Sequence, residues 1–178
     1  SGFLVEDGDR LRPEACQSPV WDTGLAVLAL RAAGVPADEP ALRRAGEWLV
    51  GEELRERGDW AVRRPGVEPG GWAFEYENDL YPDIDDAAIV AMALEDLDAG
   101  AKAVDRGCRW MAAMQCGNGG WGAFDVDNDA QWLYRIPFCD FGAVTDPPSA
   151  DVAGHVVELL AGRRGYEREV GRGIDYLL

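Results

Sequence analysis

The sequence predicts an all-α protein, an α/α toroid of helical hairpins, because two kinds of helix-like segment recur along it. Runs with apolar side chains along one face start at Asp22, Asp86 and Asp151. A second run follows each, as RAGEWL from Arg44, RGCRWM from Arg106 and RGIDYL from Arg172. One amphipathic hairpin cannot bury its own apolar face, so such units stack. The repeat is about 65 residues long, which favours a toroid over a solenoid of short repeats.

In chain order, each hairpin consists of an inner helix and an outer helix. The inner helices would start at the three aspartates and present their N-terminal ends to one side. Long segments rich in glycine and aromatic residues, 57–82 and 117–148, join the hairpins and contain the related motifs GGWAFEYEND and GGWGAFDVDND. Loops of this length are usually functional. Three units do not close a ring, the chain begins without Met, and it ends inside a helix. We therefore expect residues 1–178 to be one partial domain of a longer chain.

Composition and charge restrict the kinds of partner. The chain has 178 residues, 47% of them hydrophobic, which is enough for one domain with a sizeable core. A net charge of −16 argues against nucleic acid and provides no basic patch for anionic lipid. Cys16, Cys108, Cys116 and Cys139 form no CxxC pair, so we expect reduced, mostly structural cysteines and a cytoplasmic location. No apolar run is long enough to span a membrane and no signal peptide is present, so membrane contact would be peripheral.

The sequence YPDIDD places Asp83, Asp85 and Asp86 at the start of the second inner helix. Proline suits a helix boundary, and aspartates in the first turn interact with unpaired N–H groups and the helix dipole. Helix capping alone is therefore one interpretation. A third carboxylate at this spacing is not explained by capping, because like charges repel. Crowding raises the pKa of carboxyl groups, so one of them can hold a proton at neutral pH.

Several motifs occur in a fixed order along the chain: SPVWDT from Ser18, GGWAF from Gly70, DIDD from Asp83, NGGWGAFD from Asn118, IPFCDF from Ile136 and VTDPPS from Val144. Arg106, Trp110, Gln115 and Trp121 lie in a segment that resembles a Gln-Trp repeat. In these motifs the chain resembles the squalene-hopene cyclases, class II triterpene cyclases of the α/α barrel type. The resemblance covers essentially the whole chain and implies part of an (α/α)6 barrel.

The resemblance implies proton-initiated cyclisation of squalene, a C30 polyene, to pentacyclic hopene or hopanol in hopanoid biosynthesis. The enzyme would be an isomerase with a hydro-lyase-type side activity. Asp85 would donate the proton, while Asp83 and Asp86 would tune it. His155, the only histidine, would pair with the cluster, because an imidazolium stabilises the carboxylate left after proton transfer. We expect no metal and no organic cofactor, and we expect the isolated chain to be inactive.

Substrate contacts are also implied by the resemblance. A carbocation needs aromatic faces and the absence of bases and water. Phe74 would stabilise an intermediate cation, whereas Trp21 has wall packing as an equal alternative. Phe124 stands where several relatives have tyrosine, so a hydroxyl group is missing there. Phe138 and Cys139 match a constriction in the substrate channel. Peripheral binding of the full-length enzyme to the cytoplasmic side of a membrane is a further expectation, and the family pattern allows a homodimer.

Other functions compete with the cyclase interpretation. Asp125, Asp127 and Asp129 imitate the start of an EF-hand, but Ala130 and Ile136 occupy positions that require Gly and Glu, so calcium is rejected. A prenyltransferase-like toroid could use Asp140, Cys139 and His155 as zinc ligands, but it explains neither the DxDD cluster nor the Gln-Trp segments. Another class II terpene cyclase and a non-catalytic binding toroid are the remaining alternatives.

Overall fold

The computed structural model describes residues 4–13, 17–76, 78–135 and 145–178. Six α-helices lie in these ranges: α1 Pro19–Ala32, α2 Pro40–Gly51, α3 Ile84–Asp96, α4 Ala101–Ala113, α5 Ala150–Ala161 and α6 Glu167–Leu177. Two short 3-10 helices lie in the connecting segments, at Asp59–Val62 and Gln131–Arg135. The all-α prediction is confirmed. No helix in the described ranges is both long enough and apolar enough to cross a membrane.

A small β-hairpin precedes the helices. β1, Leu4–Asp7, pairs antiparallel with β2, Arg10–Pro13. The turn uses Gly8 with φ +66°, a conformation that glycine adopts without steric penalty. The hairpin is not among the predicted elements, because each of its strands has only four residues and shows no extended apolar alternation.

The helices pack as three hairpins in a row, with α3 at the centre. Helices α1 and α5 lie on either side of α3, and α2, α4 and α6 each pack against the inner helix of their own hairpin. Helix α3 also contacts α2. Because α3 is surrounded by α1, α2, α4 and α5, nine of its 13 residues are buried. Small side chains suit this position, and Ala87, Ala88 and Ala91 are fully buried. The predicted pairing of inner and outer helices is confirmed.

The inner helices begin earlier than predicted. Their N-cap residues are Ser18, Asp83 and Ser149. The prediction that they start at Asp22, Asp86 and Asp151 is therefore wrong by three, two and one residues. An aspartate is favoured at any position of the first turn, so aligning the repeats on aspartates does not fix the helix start. Pro19 at the first position of α1 is a better marker of it.

The tryptophans of the two GGW motifs join consecutive hairpins. Trp72 donates from Nε1 to the carbonyl of Leu49 near the end of α2, at 2.6 Å, and its own carbonyl accepts from the N–H of Asp83, at 2.8 Å. Trp121 repeats this with the carbonyl of Met111 in α4, at 2.8 Å, and the N–H of Ser149, at 3.0 Å. Each tryptophan thus ties the end of one outer helix to the start of the next inner helix.

Candidate active site

Asp83 is the N-cap of α3. Its Oδ1 accepts hydrogen bonds from the N–H groups of Asp85, at 2.7 Å, and Asp86, at 3.3 Å. The capping interpretation is therefore correct for this one member of the cluster. Burial raises the pKa of Asp83 to about 6 against the lowering effect of these two hydrogen bonds, and the nearby charges of Asp85 and Asp146 raise it further.

Asp86 has a different environment. Its side chain is 1% exposed, and Oδ1 has no hydrogen-bond partner among the described residues. Burial raises the pKa of Asp86 to about 8, and the charges of Asp83 and Asp85 add to this rise. A buried carboxyl group without a partner is more stable when protonated. The protonated form of Asp86 is therefore favoured mainly by burial, and the crowding of the three aspartates adds to it.

Asp85 is the cluster member that pairs with histidine. Its Oδ1 lies 2.6 Å from Nδ1 of His155 on α5. The two side chains are 22% and 35% exposed, so this pair lies on the accessible side of the cluster. The prediction that His155 lies beside the aspartates, at the same end of a neighbouring inner helix, is confirmed. The roles of these four residues in catalysis stay predictions.

Of the aromatic residues predicted to contact the substrate, Trp21 lies beside this pair. Trp21, the third residue of α1, has its ring centroid 6.3 Å from that of His155, with the ring planes at 56°. Phe74 is half-buried two residues after Trp72. Phe124 is 41% exposed in the second GGW segment. Phe138 and Cys139, predicted to form a constriction, lie outside the described residues.

Two of the three aspartates that follow Phe124 accept hydrogen bonds from neighbouring protein groups. Asp127 accepts the N–H of Gly117 at Oδ1, at 2.6 Å, and Asp125 accepts the side-chain amide of Asn128 at Oδ2, at 3.0 Å. No group of three His, Cys, Asp or Glu side chains in the described part of the chain is arranged to hold a metal ion. Asp140 and Cys139, considered above as zinc ligands, are not among the described residues.

Asp146, which is not among the predicted site residues, lies next to the site. Asp146 accepts three backbone N–H groups of the segment that carries Phe124. It belongs to the VTDPPS motif, which is the only sequence signal that points to it. Nothing in the sequence around Asp146 indicates that it contacts the segment about 20 residues earlier in the chain.

The chain is similar in sequence to known proteins over most of its length. A family model described as the squalene-hopene cyclase C-terminal domain matches residues 17–178. A squalene-hopene cyclase of Alicyclobacillus acidocaldarius is 52% identical over 92% of this chain and 27% of its own length. A squalene-hopene cyclase of Schizosaccharomyces japonicus is 48% identical over 99% of this chain and 29% of its own length. A dammaradiene synthase of Dryopteris crassirhizoma is 47% identical, over 89% and 24% respectively. The chain spans about a quarter of the length of these relatives.

Proposed function

We propose that this chain, which belongs to the squalene-hopene cyclase family of class II triterpene cyclases, contains the general acid of an enzyme that cyclises squalene to hopene and hopanol. The chain would act within a full-length enzyme, since it spans about a quarter of its relatives. The observation that carries the proposal is the contact between Asp85 and His155, beside two buried carboxyl groups.

In the proposed reaction, Asp85 protonates the terminal double bond of squalene. Nδ1 of His155 lies 2.6 Å from Oδ1 of Asp85. In the proposed mechanism this nitrogen is the donor, and the proton that Asp85 transfers is on Oδ2. The electron pair of the double bond forms the new C–H bond, which leaves a cation on the more substituted carbon. Asp85 becomes a carboxylate and an imidazolium at His155 stabilises it. A proton on Asp86 removes one negative charge beside Asp85, which makes the loss of its proton less costly.

Ring closure then moves the positive charge along the polyene. Each double bond attacks the cation before it and passes the charge on, so no external reagent is consumed. Loss of a proton from the last cation gives hopene, an isomer of squalene. Addition of water to that cation, followed by loss of a proton from the added oxygen, gives hopanol. Trp21, Phe74 and Phe124 would hold the cations against aromatic faces. Residues without basic atoms along the path would prevent early loss of a proton.

A different product of the same reaction class is the second candidate. One relative is named a dammaradiene synthase and is 47% identical to this chain, close to the identity of the squalene-hopene cyclases. The acid and the first ring closures would be the same, and the product would depend on where the last cation loses its proton.

The experiment incubates a full-length enzyme containing this chain with squalene, with and without EDTA, and identifies products by gas chromatography and mass spectrometry. Hopene and hopanol in both samples support the proposal. Dammarane-type products support the second candidate. Conversion that EDTA abolishes would indicate a metal-dependent enzyme, and absence of conversion by a folded enzyme would contradict both candidates.

We also propose that the full-length enzyme associates peripherally with the cytoplasmic face of a membrane. Squalene is an uncharged hydrocarbon and partitions into lipid, so an enzyme that takes it up directly from a bilayer avoids its transfer through water. Cosedimentation with squalene-loaded vesicles would test this, and an enzyme that stays in the supernatant would contradict it.

A further inference from the structure

We propose that Asp146 is a positioning residue of this active site, because its carboxylate fastens the loop that holds the first turn of α3 and carries Phe124. This loop, residues Gly122 to Asp125, is called the GAFD loop below. The inference rests on the proposed function for its effect on cyclisation, while the fastening itself is a separate structural claim.

The carboxylate of Asp146 accepts three consecutive backbone N–H groups of the GAFD loop. Oδ1 accepts from Ala123 at 3.0 Å, and Oδ2 accepts from Phe124 at 2.6 Å and from Asp125 at 2.8 Å. Hydrogen bonds to an ionised carboxylate are about twice as strong as neutral ones. Three of them on adjacent residues leave the loop backbone little freedom to rotate.

The fit between Asp146 and the loop is close at Gly122. A Cβ atom added at Gly122 would lie 2.7 Å from both the carbonyl oxygen and Oδ2 of Asp146, so only glycine allows this approach. Asp146 is itself held, because its N–H donates to the carbonyl of Asn128, at 3.0 Å. The GAFD loop is therefore clasped against a fixed carboxylate.

The GAFD loop in turn positions the start of α3, which carries Asp85. The carbonyl of Ala123 accepts the N–H of Ile84, at 2.8 Å. Ile84 is the first residue of α3 and is fully buried. Asp83 and Asp85 are its neighbours in the sequence. At a helix start the first N–H groups have no partner within the helix, so an external acceptor fixes the direction in which the helix begins. Phe124 belongs to the same loop, so the carboxylate of Asp146 positions both the first turn of α3, which carries the proposed acid, and the backbone of Phe124.

Asp146→Asn in the full-length enzyme tests the proposal, with Asp129→Asn as the matched control. Asp129 is exposed in the same segment. An amide has one acceptor oxygen where the carboxylate has two, so at least one loop N–H loses its partner in Asp146→Asn. Hydrogen–deuterium exchange should become faster at 123–125 and at 84–86 in Asp146→Asn and stay unchanged in Asp129→Asn. Unchanged exchange at 84–86 would overturn the proposal, whether or not the enzyme converts squalene.

The effect on catalysis is measured with squalene and its terminal 2,3-epoxide as competing substrates in one reaction mixture. An epoxide oxygen is more basic than a double bond, so a misplaced acid should slow the cyclisation of squalene more than that of its terminal 2,3-epoxide. Positioned acids contribute about a hundredfold to ten-thousandfold in rate, and we expect the squalene-to-epoxide rate ratio to fall by about tenfold in Asp146→Asn. The fraction of folded enzyme cancels from this ratio. A ratio equal to that of the wild type would overturn the proposal, because a purely structural role would lower both rates together.

A second variant covers the case in which Asp146→Asn does not fold. Gly122→Ala keeps the carboxylate but pushes the loop away from it, so the same two changes, faster exchange at 84–86 and a lower ratio, are expected on a smaller scale. Wild-type values in a folded Gly122→Ala enzyme would overturn the proposal. Failure of the wild-type enzyme to convert squalene would instead count against the proposed function and leave the exchange experiment to judge the fastening.

Discussion

Three aspartates within four residues have three different surroundings. Asp83 satisfies the backbone at the start of α3, Asp85 contacts His155, and Asp86 is buried with one oxygen unpartnered. The spacing points the three side chains in different directions, because an N-cap residue points back to the helix start while the second and third helical residues point to different sides of the helix. Only Asp85 combines access with a partner that can stabilise its carboxylate.

Replacing Asp85 with Asn in the full-length enzyme should abolish most of the turnover. The amide keeps the size of the side chain but has no acidic proton, and general acids contribute about a hundredfold to ten-thousandfold in rate. The measurement is squalene consumption under saturating substrate, with Asp175→Asn on exposed α6 as control. Near-normal turnover of Asp85→Asn would rule out Asp85 as the proton donor.

The stability of the enzyme should depend on pH through Asp86. The pKa is raised from 3.8 to about 8, so between these values the folded state holds a proton that the unfolded chain has released. This contribution to stability is complete below pH 3.8 and is lost as the pH rises to about 8, by about 1.4 kcal/mol per pH unit at most. Relative to the wild type, Asp86→Asn should therefore become more stable as pH rises from 5 to 9. Thermal denaturation across this range measures it, and a constant difference would contradict it.

Phe74→Ala should change the products of the enzyme. Loss of a cation–π interaction of roughly 2 kcal/mol slows the step after that cation by about thirtyfold, so loss of a proton or capture by water can compete. Incompletely cyclised products should appear, and Phe74→Trp should release fewer of them. If Phe74 only packs, the variant loses about 3 to 5 kcal/mol of stability through a cavity. A well-folded Phe74→Ala enzyme that yields only the normal pentacycle would exclude the cation role.

At the scale of secondary-structure elements, the joints between hairpins follow one rule. A GGW tryptophan binds the outer helix before it and the inner helix after it, and its ring lies against a glycine of the next outer helix. A Cβ at Gly107 would lie 3.1 Å from the ring of Trp72, and one at Gly173 would lie 2.9 Å from the ring of Trp121. Packing against the tryptophan rings therefore requires glycine at positions 107 and 173.

Gly173→Ala should destabilise the enzyme by about 1 to 3 kcal/mol, the usual effect of overpacking. The added methyl group would also lie 2.5 Å from Cγ2 of Val157. Gly171 is the matched control on the same helix, because no described atom lies within 4 Å of a Cβ placed there. Gly171→Ala should be neutral or stabilising by up to about 1 kcal/mol, since alanine favours helix. Equal unfolding midpoints of the two variants in urea would contradict the packing argument.

Helix periodicity predicts the six helices but not where they begin, because several first-turn positions suit aspartate equally well. The contact of His155 with the cluster is predicted because the family resemblance implies it and because the first turns of neighbouring inner helices lie at one common end. The GAFD loop contact with Asp146 is a long-range backbone interaction that leaves no periodic pattern. The unequal burial of Asp83, Asp85 and Asp86 likewise depends on packing that spacing alone does not reveal.

At the scale of the whole molecule, polar side chains join one hairpin to the next. Arg106 forms two hydrogen bonds with Glu53, at 2.6 and 2.5 Å, across the first joint. At the second joint, Arg172 reaches Gln115 at 2.9 Å and the carbonyl of Cys116 at 2.8 Å. Arg163 contacts Glu95 and Asp105 from the turn between α5 and α6. Arg106 of the second hairpin and Arg172 of the third thus each reach back to the hairpin before.

The similar starts of the inner helices have a consequence for how such a repeat acquires chemistry. After each cap, the second and third residues are Val20 and Trp21 in α1, Asp85 and Asp86 in α3, and Asp151 and Val152 in α5. The same two helical positions therefore occur three times, once in each inner helix. Only in α3 do both positions hold a carboxyl group. Repeated units with similar helix starts can therefore concentrate carboxyl groups in one unit through a difference at two residues, while the way in which the inner helices begin stays similar.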